Sequence, residues 1–244
     1  MSIQRTAAGI VGALATVLLI AGCAQTPAST GPTSSATDAP PQTAAPEPGD
    51  DQDFEAAWLD EGRMFAVLTW GSSTCVPVVD EVVADGQNVR VTLVDPDPDA
   101  ICTADYAARA SAGAFPEGVD PSQDVELTVT YGSVTDDADL DGDAALTGVP
   151  GTPTEYAPSA GWLDDESLVL LTWGSSTCLP IVESVEGAGS AGTVTFVTDE
   201  EQACTMDMVP RTTMIVFADD QVEDDGFQLT LVGGGLDATV PVRG

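Results

Sequence analysis

Two arginines stand where scarce positive charge could do chemistry. Arg109 and Arg211 each follow an aspartate by four residues, Asp105 or Asp207. On a helical turn that spacing permits an ion pair. Left unpaired, a guanidinium at such a place could grip a carboxylate or sulfate ligand with two parallel N–H bonds. The second constellation is a string of hydroxyls, Trp70-Gly71-Ser72-Ser73-Thr74-Cys75, which recurs as Trp173-Gly174-Ser175-Ser176-Thr177-Cys178. Its serines have no histidine to activate them, because the chain contains none, and the string lacks the second glycine of a nucleophile elbow. A structural reading fits better: the glycine lets the chain turn, the hydroxyls bond local backbone and the tryptophan packs over a disulfide. Trp70 and Trp173 remain candidate ligand contacts beside Arg109 and Arg211.

The rest of the composition excludes much. There are 40 acidic and six basic residues, a net charge of −34, and every base is an arginine. Without histidine or lysine there is no Ser–His, Cys–His or Ser–Lys catalysis and no His-ligated zinc. Nucleic acid is repelled, since phosphate binding needs Lys/Arg clusters, and cations or basic partners are favoured. Paired carboxylates could still cleave a glycosidic bond, so a carboxylate-dependent cell-wall hydrolase is an alternative. The methionines near Cys204 (Met206, Met208 and Met214) are expected to pack in a core rather than to bind copper.

These residues sit in a duplicated unit. Trp58-Leu59-Asp60 recurs as Trp162-Leu163-Asp164, Val91-Thr92-Leu93-Val94 as Val194-Thr195-Phe196-Val197, and Cys102-Thr103-Ala104-Asp105 as Cys204-Thr205-Met206-Asp207. The shift drifts only from 104 to 102 residues along the unit. A copied unit should close on itself, which selects Cys75–Cys102 and Cys178–Cys204 from the three pairings four cysteines allow. Val89, Val91 and Leu93 alternate with polar residues, as do Val125, Leu127 and Val129, which predicts half-buried strands. Turns are expected at Asp85-Gly86 and across 187–192, and a helical turn or two only within 103–113. The expected fold is all-β: two tandem homologous antiparallel sandwich or partly open barrel domains of five or six strands, at 54–132 and 161–244, joined by an acidic linker, 133–160.

Before the first unit, Arg5 precedes an uncharged apolar run at 7–20, too short for an ordinary membrane span. Leu19-Ile20-Ala21-Gly22-Cys23 resembles the bacterial lipobox. The resemblance implies a signal peptide at 1–22, diacylglycerol on Cys23 and an anchor on the extracytoplasmic face of the cell membrane. Residues 23–53, rich in Pro, Ala and Thr, read as a disordered tether of about 30 residues, reaching ~50–90 Å. With the duplicated Thr-Trp-Gly-Ser-Ser-Thr-Cys-x-Pro and the lysine-free composition, the mature region is similar to uncharacterised secreted lipoproteins of high-GC Gram-positive bacteria. That similarity implies an envelope location and no particular activity.

In the linker, Asp137-Ala138-Asp139-Leu140-Asp141-Gly142-Asp143 resembles the opening of an EF-hand or dockerin-like calcium loop, although Gly148 stands where the bidentate acid belongs. Asp137, Asp139 and Asp141 are the candidate metal ligands, and Ca²⁺ is the one cofactor the sequence raises. The expected function is a non-catalytic surface module that binds an extracellular protein, glycan or cation, or an envelope scaffold. A calcium-binding surface protein is a further alternative.

Overall fold

A computed structural model describes residues 54–97, 99–199, 201–218 and 222–244. The signal peptide, Cys23 and the tether lie outside the described residues. The chain is all-β, with several sheets and, among the described residues, a single turn of 3₁₀ helix at Asp60–Gly62. Among the described residues each copy has seven strands rather than five or six. The first copy holds β1 (Ala56–Leu59), β2 (Met64–Gly71), β3 (Val78–Asp85), β4 (Asn88–Val94), β5 (Ala107–Ala114), β6 (Val125–Tyr131) and β7 (Val134–Leu140). The second holds β8 (Ser159–Trp162), β9 (Ser167–Gly174), β10 (Val182–Ala188), β11 (Ala191–Phe196), β12 (Val209–Val216), β13 (Gln228–Val232) and β14 (Ala238–Arg243).

The order of pairing is the same in both. In the first copy β1-β2-β5 form one sheet and β3-β4-β6-β7 another. The second copy repeats both sets but fuses them into one seven-stranded sheet, because β14 pairs with β8 through Val242 opposite Ala160 and Arg243 opposite Gly161. The expectation of purely antiparallel sheets is corrected: β4 with β6, β11 with β13 and β14 with β8 run parallel.

Burial explains the layers. In β4 and β6 alternate residues point inward, as the sequence pattern requires. In β2 and β9, by contrast, the first six residues are all buried. A strand reads this way when both of its faces are covered. Phe65 and Val67 of β2 enter a core with Trp58, Val91, Leu93, Leu127 and Val129. Met64 and Ala66 point the other way and meet Val169 and Leu171 of β9, together with Ala57, Leu59 and Ala110. Leu168 and Leu170 of β9 turn to the second copy's own core, with Phe196, Phe217, Phe227 and Leu229.

The two copies therefore share a core and stack as successive sheet layers. This is nearer to the stacked layers of a β-solenoid than to two free-standing sandwiches or barrels, although the copies meet through equivalent strands, β1 against β8 and β5 against β12. Small residues make the approach close. A Cβ on Gly161 would lie 2.4 Å from the Trp58 carbonyl oxygen and 3.0 Å from the Ala57 Cβ.

The expected linker, 133–160, is also corrected. Its first part is β7, whose Ala138 and Leu140 are buried while Asp137 and Asp139 face out. Its remainder is bonded to the first copy: Asp143 N–H donates to the Pro121 carbonyl, Gly148 N–H to Glu61 and Gly151 N–H to Phe115. Gly148 is required there, since a Cβ would sit 2.5 Å from the Glu61 carbonyl oxygen. In 187–192 only Gly189-Ser190 make the turn between β10 and β11. Gly187 and Gly192 pair within those strands, where the rings of Phe217 and Phe227 leave no room for a side chain.

Candidate functional site

The hydroxyl string leaves the end of β2 as a loop, and the neighbouring strand β5 brings Arg109 to it, with Arg109 opposite Thr69 in the ladder. The expected helical turn in 103–113 is absent because 107–114 is strand, so Arg109 and Asp105 are carried apart instead of being stacked. Arg109, 6% exposed, donates from Nη1 to the carbonyls of Cys75 (2.6 Å) and Ser72 (3.3 Å), and from Nη2 to that of Trp70 (3.1 Å). The ion pair expected from the sequence is thus replaced by a guanidinium that caps loop carbonyls. Gly71 is dictated by this contact, since a Cβ would come within 2.8 Å of the guanidinium carbon.

Asp105 has a separate task. Its carboxylate accepts from the Ser73 N–H at 3.2 Å and from the Thr103 hydroxyl. The Ser72 hydroxyl bonds those of Thr103 (2.8 Å) and Thr74 (3.2 Å). The hydroxyls are consumed in holding the loop, as the structural reading of the motif expects. The disulfide Cys75–Cys102 joins the two segments that make this network. The second copy repeats it: Arg211 donates to Cys178 (2.9 Å) and Trp173 (3.0 Å), Asp207 accepts from Ser176 N–H and the Thr205 hydroxyl, and Cys178–Cys204 closes the loop. Burial depresses the Arg211 pKa, and among the described residues its guanidinium bonds neutral carbonyls.

Hydrogen bonds hold both aspartates well below the usual carboxylate range. Asp105 is pulled to about 2 by Ser73 and then Thr103, and Asp207 to about 2 by Ser176 and then Thr205. Because these folded values lie below the unfolded value of about 3.9, the stability they add is complete above that pH. It is given up as the pH falls from about 4 through about 2. A variant carrying Asp105→Asn and Asp207→Asn should lose less stability than the wild type across this window, read from urea midpoints at each pH. Equal slopes for the two proteins would refute the assignment.

Beside each network lies a cleft. The first, of about 260 Å³, is lined by Ser72, Cys75, Asp95, Arg109 and Tyr131 among others. The Tyr131 hydroxyl donates to Asp95 at 2.6 Å, and its phenol oxygen also feels the Arg109 guanidinium. Burial and the Asp95 carboxylate raise the Tyr131 pKa, with Arg109 pulling the other way. The second cleft, of about 560 Å³, is lined by Trp173, Leu179, Ile181, Val197, Asp199 and Arg211 among others. The two clefts differ at equivalent positions of the sheet. Leu93 lies opposite Tyr131 in the first copy; the equivalent of Leu93 is Phe196, beside which stands Gly233 in place of the tyrosine. Thr198 follows Val197 where Asp95 follows Val94, and Gly234, Gly235 and Leu236 line the edge.

The tryptophans find ring partners in tyrosines. Trp70 stacks on Tyr106 (5.6 Å between centroids, 19°), and Trp173 meets Tyr156 edge-on (5.1 Å, 83°). Trp173 lines the second cleft, while Trp70 stands 41% exposed beyond the first. Met206 and Met208 are exposed, contrary to the expected core role, and only Met214 packs at the seam between copies.

Asp137 and Asp139 lie on β7 opposite Thr128 and Glu126, with Asp141 just beyond the strand. On this extended strand Asp137 and Asp139 stand along one face, unlike the wrapped ligands of an EF-hand loop. Among the described residues no group of three or more His, Cys, Asp or Glu side chains is placed to hold a metal. Tyr131, Asp95, Gly234 and Gly235 are site residues that sequence reasoning missed. Comparison with family models, curated proteins and solved structures returns no match.

Proposed function

We propose that the chain is a lipid-anchored, non-catalytic binding module on the extracytoplasmic face of the cell membrane, and that it holds an extracellular partner in the wider cleft of its second copy. One observation carries this reading. The same guanidinium-floored cleft is built twice, narrowed in the first copy by the protein's own Tyr131 and about twice as large in the second. Duplicated units tolerate such divergence: one copy keeps a structural role while the other is free to bind. The wider cleft is rimmed by Leu179 (61% exposed), Ile181 (59%) and Val197 (45%), an apolar border on an otherwise acidic protein. The lipobox-like segment at 19–23 and the proline-rich tether support the location.

The test uses the mature chain immobilised on beads and challenged with separated wall and surface-protein fractions of a bacterial envelope. Retention of a component by the wild type, at least tenfold reduced by Ile181→Asp, is the expected result. Retention unaffected by Ile181→Asp, or release of soluble wall fragments by the protein, would overturn the reading.

A further inference from the structure

The first copy shows what its cleft accepts. We infer that the wider cleft over Arg211 takes the phenol of a partner protein's tyrosine, seated as Tyr131 is seated against Arg109. The inference rests on the binding reading above and names the chemistry of the ligand.

The argument is one of equivalent positions. Ladder registers match the two copies strand for strand: Val91 faces Val129 as Val194 faces Leu231, and Thr92 faces Thr130 as Thr195 faces Val232. The next position is Tyr131 in one copy and Gly233 in the other. Tyr131 brings an aromatic ring, an oxygen turned to the guanidinium and a hydroxyl hydrogen given to Asp95. At Gly233 the ring is missing, and the cleft is more than twice as large, about 560 against about 260 Å³. The floor is kept in outline, with Arg211 held by the Trp173 and Cys178 carbonyls as Arg109 is by those of Trp70 and Cys75, though without the counterpart of the Arg109 bond to the Ser72 carbonyl.

The remaining walls suit a ring bearing one polar atom. Leu179, Ile181 and Val197 offer apolar contact for its edge. Thr198 stands where Asp95 does, and Asp199 also lines the cleft; one of its carboxylate oxygens accepts from the Glu201 N–H, which leaves the other to accept from a phenol. Net charge also discriminates. A protein at −34 repels a small carboxylate or sulfate, whereas a phenol with a pKa near 10 is neutral at pH 7. The anionic ligand suggested by the arginines alone is therefore the less favoured occupant.

The experiment measures binding of N-acetyl-L-tyrosinamide to the mature chain, with N-acetyl-L-phenylalaninamide as the probe lacking the hydroxyl. Trp173 lines the cleft and reports occupancy by fluorescence, and equilibrium dialysis gives stoichiometry. Restoring a ring with Gly233→Tyr is unsuitable, since φ there is +78° and a Cβ would meet the Phe196 carbonyl oxygen at 2.6 Å. The opposite change, Tyr131→Ala, opens the first cleft instead. The expected results are saturable binding of one tyrosinamide per wild-type chain, at least tenfold weaker binding of phenylalaninamide, loss on Ile181→Asp, and two sites per chain in Tyr131→Ala. Equal binding of the two probes, or no saturable binding to the wild type, overturns the inference. The comparison of the two probes decides it even where Tyr131→Ala fails to fold. If the phenol fails but envelope retention remains sensitive to Ile181→Asp, the binding-module reading stands and only the ligand class falls.

Discussion

Replacing Arg109 by methionine is expected to destabilise the protein by about 3–5 kcal/mol, measured as a shift of the urea midpoint. The guanidinium is almost fully buried and makes three bonds to main-chain carbonyls at the turn that follows β2. Bonds to a charged donor contribute about 1.5–3 kcal/mol each, and a buried carbonyl left without a partner costs about 1–3 kcal/mol. Relief from burying a charge offsets part of the sum. Lysine should rescue little, because a single ammonium cannot spread across three acceptors held by a planar fork. The matched change Arg211→Met should cost roughly half as much, since that guanidinium is only half-buried and makes two such bonds. A loss below about 1 kcal/mol at Arg109 would show that the carbonyl cage is not what holds the loop.

Removing one disulfide by Cys75→Ala with Cys102→Ala should cost about 3.5 kcal/mol, on a loop separation of 27 residues in the chain-entropy view. For a chain of this size the melting temperature should fall by about 10 °C. The bridge also holds Thr103 and Asp105 beside the loop that Arg109 caps. Combining its loss with Arg109→Met should therefore cost less than the two changes added together. A double variant that melts within about 2 °C of the wild type would refute the first estimate, and strict additivity would refute the coupling.

The duplication, the all-strand character and the inward faces of β4 and β6 were legible in the sequence, because alternation and recurrence are local signals. The pairing of Cys75 with Cys102 and of Cys178 with Cys204 followed from the repeat. Other features were hidden for physical reasons. The consecutive apolar residues of β2 and β9 signal cover on both faces, but one face is covered by the other copy, and no local pattern names that partner. The acids of β7 suggested a calcium loop because charge masked the inward Ala138 and Leu140. The Asp105–Arg109 spacing suggested a helix, while the true acceptors of Arg109 lie more than 30 residues away along the chain. Tyr131 became informative only when the strand registers placed Gly233 at its equivalent.

The seam between the copies has an implication for how the molecule arose. Where the copies touch, corresponding residues meet one another: the Thr212 hydroxyl donates to the carbonyl of Ala110, its own counterpart, at 2.7 Å, and Gly161 abuts Ala57, likewise its counterpart. Such self-matching is the signature of an isologous contact about a dyad. A progenitor made of a single unit would have carried the same apolar face outward, with a second identical polypeptide as its natural cover. Gene fusion would then have turned a homodimer into one chain, freeing each half to change without its twin, as the narrow and wide clefts now do.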